Sequence, residues 1–227
     1  MLAALVPGQF RIFQVLPIDD SRVQTVAAAL KAYGGAASRI AIAATSYAGT
    51  TRHIAHWEWF VSADTAAAAH TTALAELQAV PEPATTVANT RDALAALRIV
   101  PGVKADPRRS APHRWPLYLV EKQAAVDNSA IATATPRVVV DANTPPVVNL
   151  TFTPTGAQTF AAFSRAAIDS QIAIALDGVV YTAPIVASEI PSGTVSIITG
   201  SHAEAIKLAA ILDAGPLPED LQFASQP

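Results

Sequence analysis

The residues IALDGVVYTAPIV (174–186) decide how this chain is read, because they set two short apolar runs around a single Asp-Gly pair. The runs are partly β-branched, and Asp177-Gly178 supplies the positive φ values that a two-residue hairpin turn demands. Pro184 limits the second strand, since it has no N–H to give to a sheet ladder. The turn also accounts for Asp177, which would otherwise look like an isolated acid.

Downstream of the hairpin, GTVSIITG (193–200) reads as a strand and SHAEAIKLAAILDAG (201–215) as a helix. Ser201 and Glu204 have the spacing of a capping box, and Gly215 with Pro216 closes the helix. LPEDLQF (217–223) is expected to return as an edge strand. Upstream, TPTGAQTFAAFSRAAI (153–168) reads as a helix with a second capping box, Thr155-x-x-Gln158, and with Phe160, Phe163 and Ala167 facing a sheet. WPLYLV (115–120) and PPVVNLTF (145–152) are apolar strand runs flanked by proline.

The first half has its own rhythm. FRIFQVLPI (10–18) alternates like a strand, and DDSRVQTVAAALKAYGG (19–35) follows as a helix with Asp20 or Ser21 as N-cap and Gly34-Gly35 as its stop. Val23, Val26, Leu30 and Tyr33 fall on one face of it. SRIAIAAT (38–45) and RHIAHWEWFV (52–61) are strands, and ADTAAAAHTTALAELQAV (63–80) is a helix ended by Pro81 and Pro83. The order β-α-β-β-α predicts a split βαβ, ferredoxin-like layer. ANTRDALAALRIV (88–100) adds a short helix or helix-to-strand transition, and the proline- and charge-rich PGVKADPRRSAPHRWP (101–116) marks a subdomain boundary. The fold class is therefore α+β.

Bulk properties narrow the function. The chain has 227 residues, 51% hydrophobic, 15% charged and 6% aromatic, with a formal net charge of −3. It can bury a sizeable core, and it has no basic stripe of the kind nucleic acid requires. The sequence contains no cysteine, which excludes disulfides, thiol nucleophiles and thiolate metal sites. No run approaches the roughly 20 apolar residues that span a bilayer.

Candidate chemistry is sparse. His53, His56 and His70 could suggest a metal, but a spacing of three along a strand sends His53 and His56 to opposite faces, and a site needs three or four converging ligands. Trp57, Trp59 and Val61 share one strand face, which reads as core before it reads as a stacking platform. No nucleophile elbow and no phosphate-binding glycine loop is present, because Gly34-Gly35 ends a helix instead of opening one. No catalytic, cofactor or metal residue is assigned.

Taken in series, the second-half motifs resemble the SecD family, in particular its large periplasmic domain. The chain reads VVNLTFTPTGAQTFAAFS, IAIALDGVVYTAPIVASEI, SGTVSIITG and AEAIKLAAILDAGPLP in the family's order, preceded by LYLVEKQAAVDNSAIATA. The positions that carry the resemblance are Gly156, Phe160, Asp177, Gly178, Pro184, Gly193, Gly200, Ala205, Leu208, Gly215, Leu217 and Pro218, all structural in role. The resemblance covers about Trp115 to Pro218, and VPGVKADPR (100–108) is faintly similar to a further family motif. Residues 45–111 follow no family pattern, and the charged membrane residues that couple protons in the family are not in this stretch.

The resemblance implies a ferredoxin-like base (1–112), an inserted head (113–200) and a C-terminal helix and strand returning to the base (201–227). It implies a non-enzymatic, extracytoplasmic domain anchored through a parent membrane protein, with membrane-embedded translocase components and unfolded secretory polypeptide as partners. Binding is expected at a sheet edge or in an apolar groove. A second reading is a stand-alone structural or assembly module that reuses the same fold to bind a folded protein, cytoplasmic if these residues are the whole chain. No cofactor and no nucleic acid is implied by either.

Overall fold

The computed structural model of the protein describes residues 8–33, 38–46, 53–79, 91–102, 114–137 and 145–215. The first strand, β1 (Phe10–Gln14), is apolar on both faces: Phe10 and Ile12 point one way, Phe13 the other, and all three are buried. Helix α1 (Ser21–Tyr33) begins where Asp20 Oδ1 accepts from the Arg22 backbone N–H at 2.8 Å, so Asp20 is its cap. Val23, Val26 and Leu30 face inward as their spacing predicts. β2 (Ser38–Ser46) and β3 (His53–Ser62) pair antiparallel, and α2 (Ala66–Gln78) is capped by the Thr65 side chain. A short helix α3 (91–96) runs directly into β4 (Leu97–Pro101), the transition the sequence suggests.

β5 (Arg114–Glu121), β6 (Val126–Asp127), a single 3-10 turn (Asn128–Ala130) and β7 (Ile131–Arg137) follow. Then come β8 (Val147–Phe152), α4 (Pro154–Ala166), the hairpin β9 (Ile172–Leu176) and β10 (Val179–Thr182), β11 (Thr194–Ile198) and α5 (His202–Ala214). The α4 cap differs from the expected Thr155-x-x-Gln158 box. Pro154, with its fixed φ and missing N–H, takes the first helical position, so Thr153 becomes the cap and accepts from Gly156 N at 3.1 Å. The two-residue β6 and the strand β7 went unread in the sequence, because IATATPR lacks a clear alternation.

Among the described residues three sheets result: β10-β9-β1-β6, β11-β8-β7 and β2-β3-β5-β4. The first is covered on both sides. Phe10, Ile12, Ile172 and Ile174 join a core with Leu150, Phe160 and residues of α5, while Phe13, Ala173, Ala175 and Val180 meet Val100 and Val120 on the other face. This double burial is why residues 172–176 read as an unbroken apolar run. The third sheet packs under α1 and α2 around Trp59, Val61, Leu97, Ile99 and Leu117. Fully burying each such large side chain contributes about 1.5–3 kcal/mol.

Two expectations about organisation need correcting. In a split βαβ layer β1 would lie beside β3, but β5 pairs with both β3 and β4, and β1 pairs with β9 and β6. A strand apolar on both faces fits the sheet that is covered on both faces. A cut at 112/113 therefore does not follow the sheets. Helix α5 does not return to the first-half sheet either. It lies along β7 and β8, and Ala205, Leu208, Ala209 and Leu212 enter the core that Phe160 occupies. No helix among the described residues is long and apolar enough to cross a membrane.

Candidate functional site

Among the described residues β11 is an edge strand, and its register with β8 shows which backbone groups point away from the sheet. Phe152 N donates to Gly193 O and Thr199 N to Pro146 O, so Val195 and Ile197 spend their backbone bonds on Leu150 and Val148. Thr194, Ser196 and Ile198 therefore turn their N–H and C=O groups to the open side, where Thr194 N donates to Ser192 Oγ and Thr194 O accepts from it, both at 3.4 Å, leaving Ser196 and Ile198 as the outward positions. That side is a groove of about 360 Å³ between β11 and the segment that follows β10. Phe160, Ile172 and Ile174 line it from the core, and Pro184, Ile185 and Ile190 form its far wall. Among the described residues no charged side chain lines it. Ile198, at its end, is 63% exposed.

Local chemistry fixes the groove's width. The Tyr181 hydroxyl in β10 donates to Glu204 Oε1, and Glu204 Oε2 accepts from Gly200 N at 2.6 Å just beyond β11. Burial, and then the Glu204 carboxylate, push the Tyr181 phenol up, so it stays a neutral donor. One carboxylate thus ties both walls to the start of α5. Half of the expected Ser201–Glu204 capping box is present, since Ser201 Oγ accepts from Glu204 N at 3.1 Å. Glu204 instead reaches one residue further back, to Gly200. The far wall is held by Ser164, whose buried hydroxyl accepts from Ile190 N at 3.0 Å and donates to Ala161 O at 3.1 Å. An exposed bidentate pair, Arg165 with Glu189, braces the same segment at 2.7 and 2.9 Å.

The sequence-singled residues divide into frame and wall. Asp177 (φ 51°) and Gly178 (φ 78°) form the hairpin turn. Asp177 does more, because its Oδ1 accepts from Gln9 N and its own N–H donates to Gln9 O, both at 2.9 Å, pinning the start of β1. Gly156 lets α4 approach Ala130, where a Cβ would sit 2.6 Å from the carbonyl oxygen. Phe160 stacks against Phe152 at 5.0 Å and Phe163 at 6.3 Å. Pro184 lines the groove, and Gly193 and Gly200 bracket β11. Ala205 and Leu208 are core, and Gly215 caps α5. Leu217, Pro218, the 217–223 strand, Gly34-Gly35, Pro81 and Pro83 lie outside the described residues.

Trp59 and Val61 are buried core and offer no platform, while the side chains of His53, His56 and Trp57 lie outside the described residues. His70 is half-buried on α2. Burial pushes its imidazole down, against a hydrogen bond to the Ile99 backbone. Among the described residues no three metal-binding side chains converge. The β11 edge is the candidate feature missed in the sequence. Its signal was TVSII itself, a five-residue strand without a charge.

Comparison with known proteins places the chain in a family. The model of the family described as SecDF, P1 head subdomain, matches residues 103–219, a little over half the chain. The protein translocase subunit SecDF of Thermus thermophilus is 43% identical over 90 residues, covering 39% of this chain and 12% of that protein. The protein translocase subunit SecD of Rhodothermus marinus is 39% identical over 116 residues, covering 49% of this chain and 18% of that protein. The chain thus spans under a fifth of the length of these relatives. A solved structure of a membrane component SecDF that enhances protein export aligns with TM-score 0.41 and 20% identity, over 95% of this chain and 100% of that one. The motif series 147–218, which suggested the family, falls within the matched span, and the chain belongs to the SecDF P1 head subdomain family.

Proposed function

We propose that this chain is an extracytoplasmic part of a SecD-type protein-export component, and that it binds unfolded, translocating polypeptide without catalysing a reaction. The observation that carries this reading is the β11 edge. Among the described residues Ser196 and Ile198 have no backbone partner on this side and the apolar groove beside them no charged lining, the combination that strand addition uses for affinity without sequence specificity. The domain is held at the periplasmic face through a parent membrane protein and works beside membrane-embedded translocase components. In this reading the β2-β3-β5-β4 sheet with α1 and α2 is the ferredoxin-like base, β5 standing where β1 would, and the two other sheets form the head. The comparisons do not favour a stand-alone module.

The test is titration with a fluorescently labelled unfolded secretory polypeptide, with the same polypeptide folded as control. Saturable binding of the unfolded form alone is expected, with Kd on the order of micromolar. Ser196→Pro removes an outward N–H and leaves the bonds to β8 at Val195 and Ile197 in place, so affinity should fall about tenfold or more with the fold intact. Binding to neither form refutes the reading. Nanomolar binding to one folded protein refutes it as well.

A further inference from the structure

The groove beside β11 has a second backbone edge on its far side. β10 is the outer strand of the β10-β9-β1-β6 sheet, with a register shift between Val180 and Thr182, and the chain runs on along that edge. There Gln171 and Ile185 lie opposite each other in an antiparallel bridge. The flanking residues make its hydrogen bonds: Ile172 N donates to Pro184 O at 2.9 Å and Val186 N to Ser170 O at 3.0 Å. In that pattern the N–H and C=O of Ile185 point away from Gln171, and Ile185 lines the groove. Among the described residues neither group has a partner. Nearer the start of β10 the same edge is closed, because Gly102 bridges Val180.

The groove is thus a gap between the edges of two sheets, with Ser196 and Ile198 on one side and Ile185 on the other. Both sheets bury their inner faces in one core, where Ile172 and Ile174 meet Leu150 and Ile197 around Phe160. The tie from Tyr181 through Glu204 to Gly200 fixes one edge relative to the other. A strand takes up about 160 Å³ per residue, from about 4.8 Å between strands, about 10 Å between layers and about 3.3 Å along the chain. The groove of about 360 Å³ therefore encloses about two residues of a single strand. We infer that the captured segment inserts as a strand between the two sheets, hydrogen-bonded to Ser196 and Ile198 on one side and to Ile185 on the other. Both walls present N–H and C=O groups, and an extended polypeptide backbone answers both at once, which commits the slot to that occupant. Its side chains alternate, so every second one meets Phe160, Ile172 and Ile174 and must be apolar. The inference rests on capture at β11 and adds a requirement to it. Every backbone N–H of the enclosed segment is used, where addition at one edge uses every second one.

The experiment titrates the full chain with the blocked peptide Ac-KTVTVTVTK-NH2, whose alternation sends valines to the core and threonines to solvent. Backbone groups of the valines then face one wall and those of the threonines the other. One analogue is N-methylated at every valine and a second at every threonine. Both should bind about tenfold or more weakly than the parent peptide. In the complex with the unfolded secretory polypeptide, hydrogen exchange should slow at the Ile185 and the Ser196 amides together. Ile185→Pro removes the N–H that faces the slot, leaves the bonds of Pro184 and Val186 in place, and should weaken binding about tenfold. Protection at Ser196 alone, with one analogue binding like the parent, overturns insertion and leaves capture at β11 standing. Protection at neither amide overturns both.

Discussion

Replacing Gly156 by alanine sets two effects of opposite sign against each other. Gly156 lies in the first turn of α4, and exchanging glycine for alanine in a helix is worth up to about 1 kcal/mol of stability from propensity. Against this, the new Cβ would sit 2.6 Å from Ala130 O, 2.7 Å from Ala130 Cβ and 2.9 Å from Ala130 Cα. Two of these are backbone atoms that no rotamer change can move. The Ala130 carbonyl also accepts from Thr153 N at 2.8 Å, so pushing α4 away stretches the bond that seats its cap. Overpacking costs about 1–3 kcal/mol and a strained hydrogen bond about 1 kcal/mol more. The clash wins, leaving a net loss of about 1–3 kcal/mol. Urea unfolding followed by tryptophan fluorescence and circular dichroism measures it, and Tm should fall by roughly 3–10 °C at about 2–4 °C per kcal/mol. Gly178→Ala is the control: no atom lies within 4 Å of its Cβ position, and its φ of +78° leaves only backbone strain of about 1 kcal/mol. A neutral or stabilising Gly156→Ala would refute the seating of α4 on Ala130.

Other outcomes follow from single bonds. Ser164→Ala strands the Ile190 N–H behind the groove wall and should cost about 1–3 kcal/mol in denaturant unfolding, whereas a neutral result would mean the wall is held by packing alone. Tyr181→Phe should cost about 1 kcal/mol and also weaken unfolded-polypeptide binding, because the tie to Glu204 sets the groove's width; unchanged affinity at reduced stability would remove that role. Hydrogen bonds from the Arg22 side chain hold the Asp20 carboxyl below its usual value. A depressed folded-state pKa contributes stability that is present above the unfolded value, about 4, and is lost as pH falls through the folded one. Arg22→Ala should therefore flatten the acid limb of stability between roughly pH 5 and 2, and an unaltered limb would contradict the pairing.

What was legible in the sequence was local. Asp177-Gly178 declared the hairpin because few other pairs accept positive φ at both positions, and Val23, Val26 and Leu30 declared the buried face of α1 by spacing alone. Register and partnership were not legible. Asp177 bonds to Gln9 and Arg22 to Glu121, contacts 168 and 99 residues apart, which no window of periodicity can see. The exchange of β1 and β5 between sheets belongs to the same class. FRIFQ is apolar on both faces, a hint that it needs two covers, but nothing local says that β9 and not β3 will flank it. Helix α5 misled through its family position, while its alanine-rich stripe fits a close seat on β7 and β8.

The candidate site was hidden for a different reason, because an open edge is defined by what it lacks. Folded proteins guard exposed strand edges with charges, prolines, bulges or covering elements. Here β10 has a register shift between Val180 and Thr182 and is followed by Pro184, β4 ends at Pro101, and β7 carries Pro136 and Arg137 and runs under α5. Thr194–Ile198 carries no such guard, and yet its outward groups face a groove and not bulk solvent. An unguarded edge on a free surface would be an aggregation hazard. In the proposed reading the same edge set in a slot, with Glu204 tying both walls, would admit one extended chain and shield it from sheet-to-sheet growth. On the proposed function, that slot is what lets an unguarded edge serve backbone capture without inviting edge-to-edge pairing.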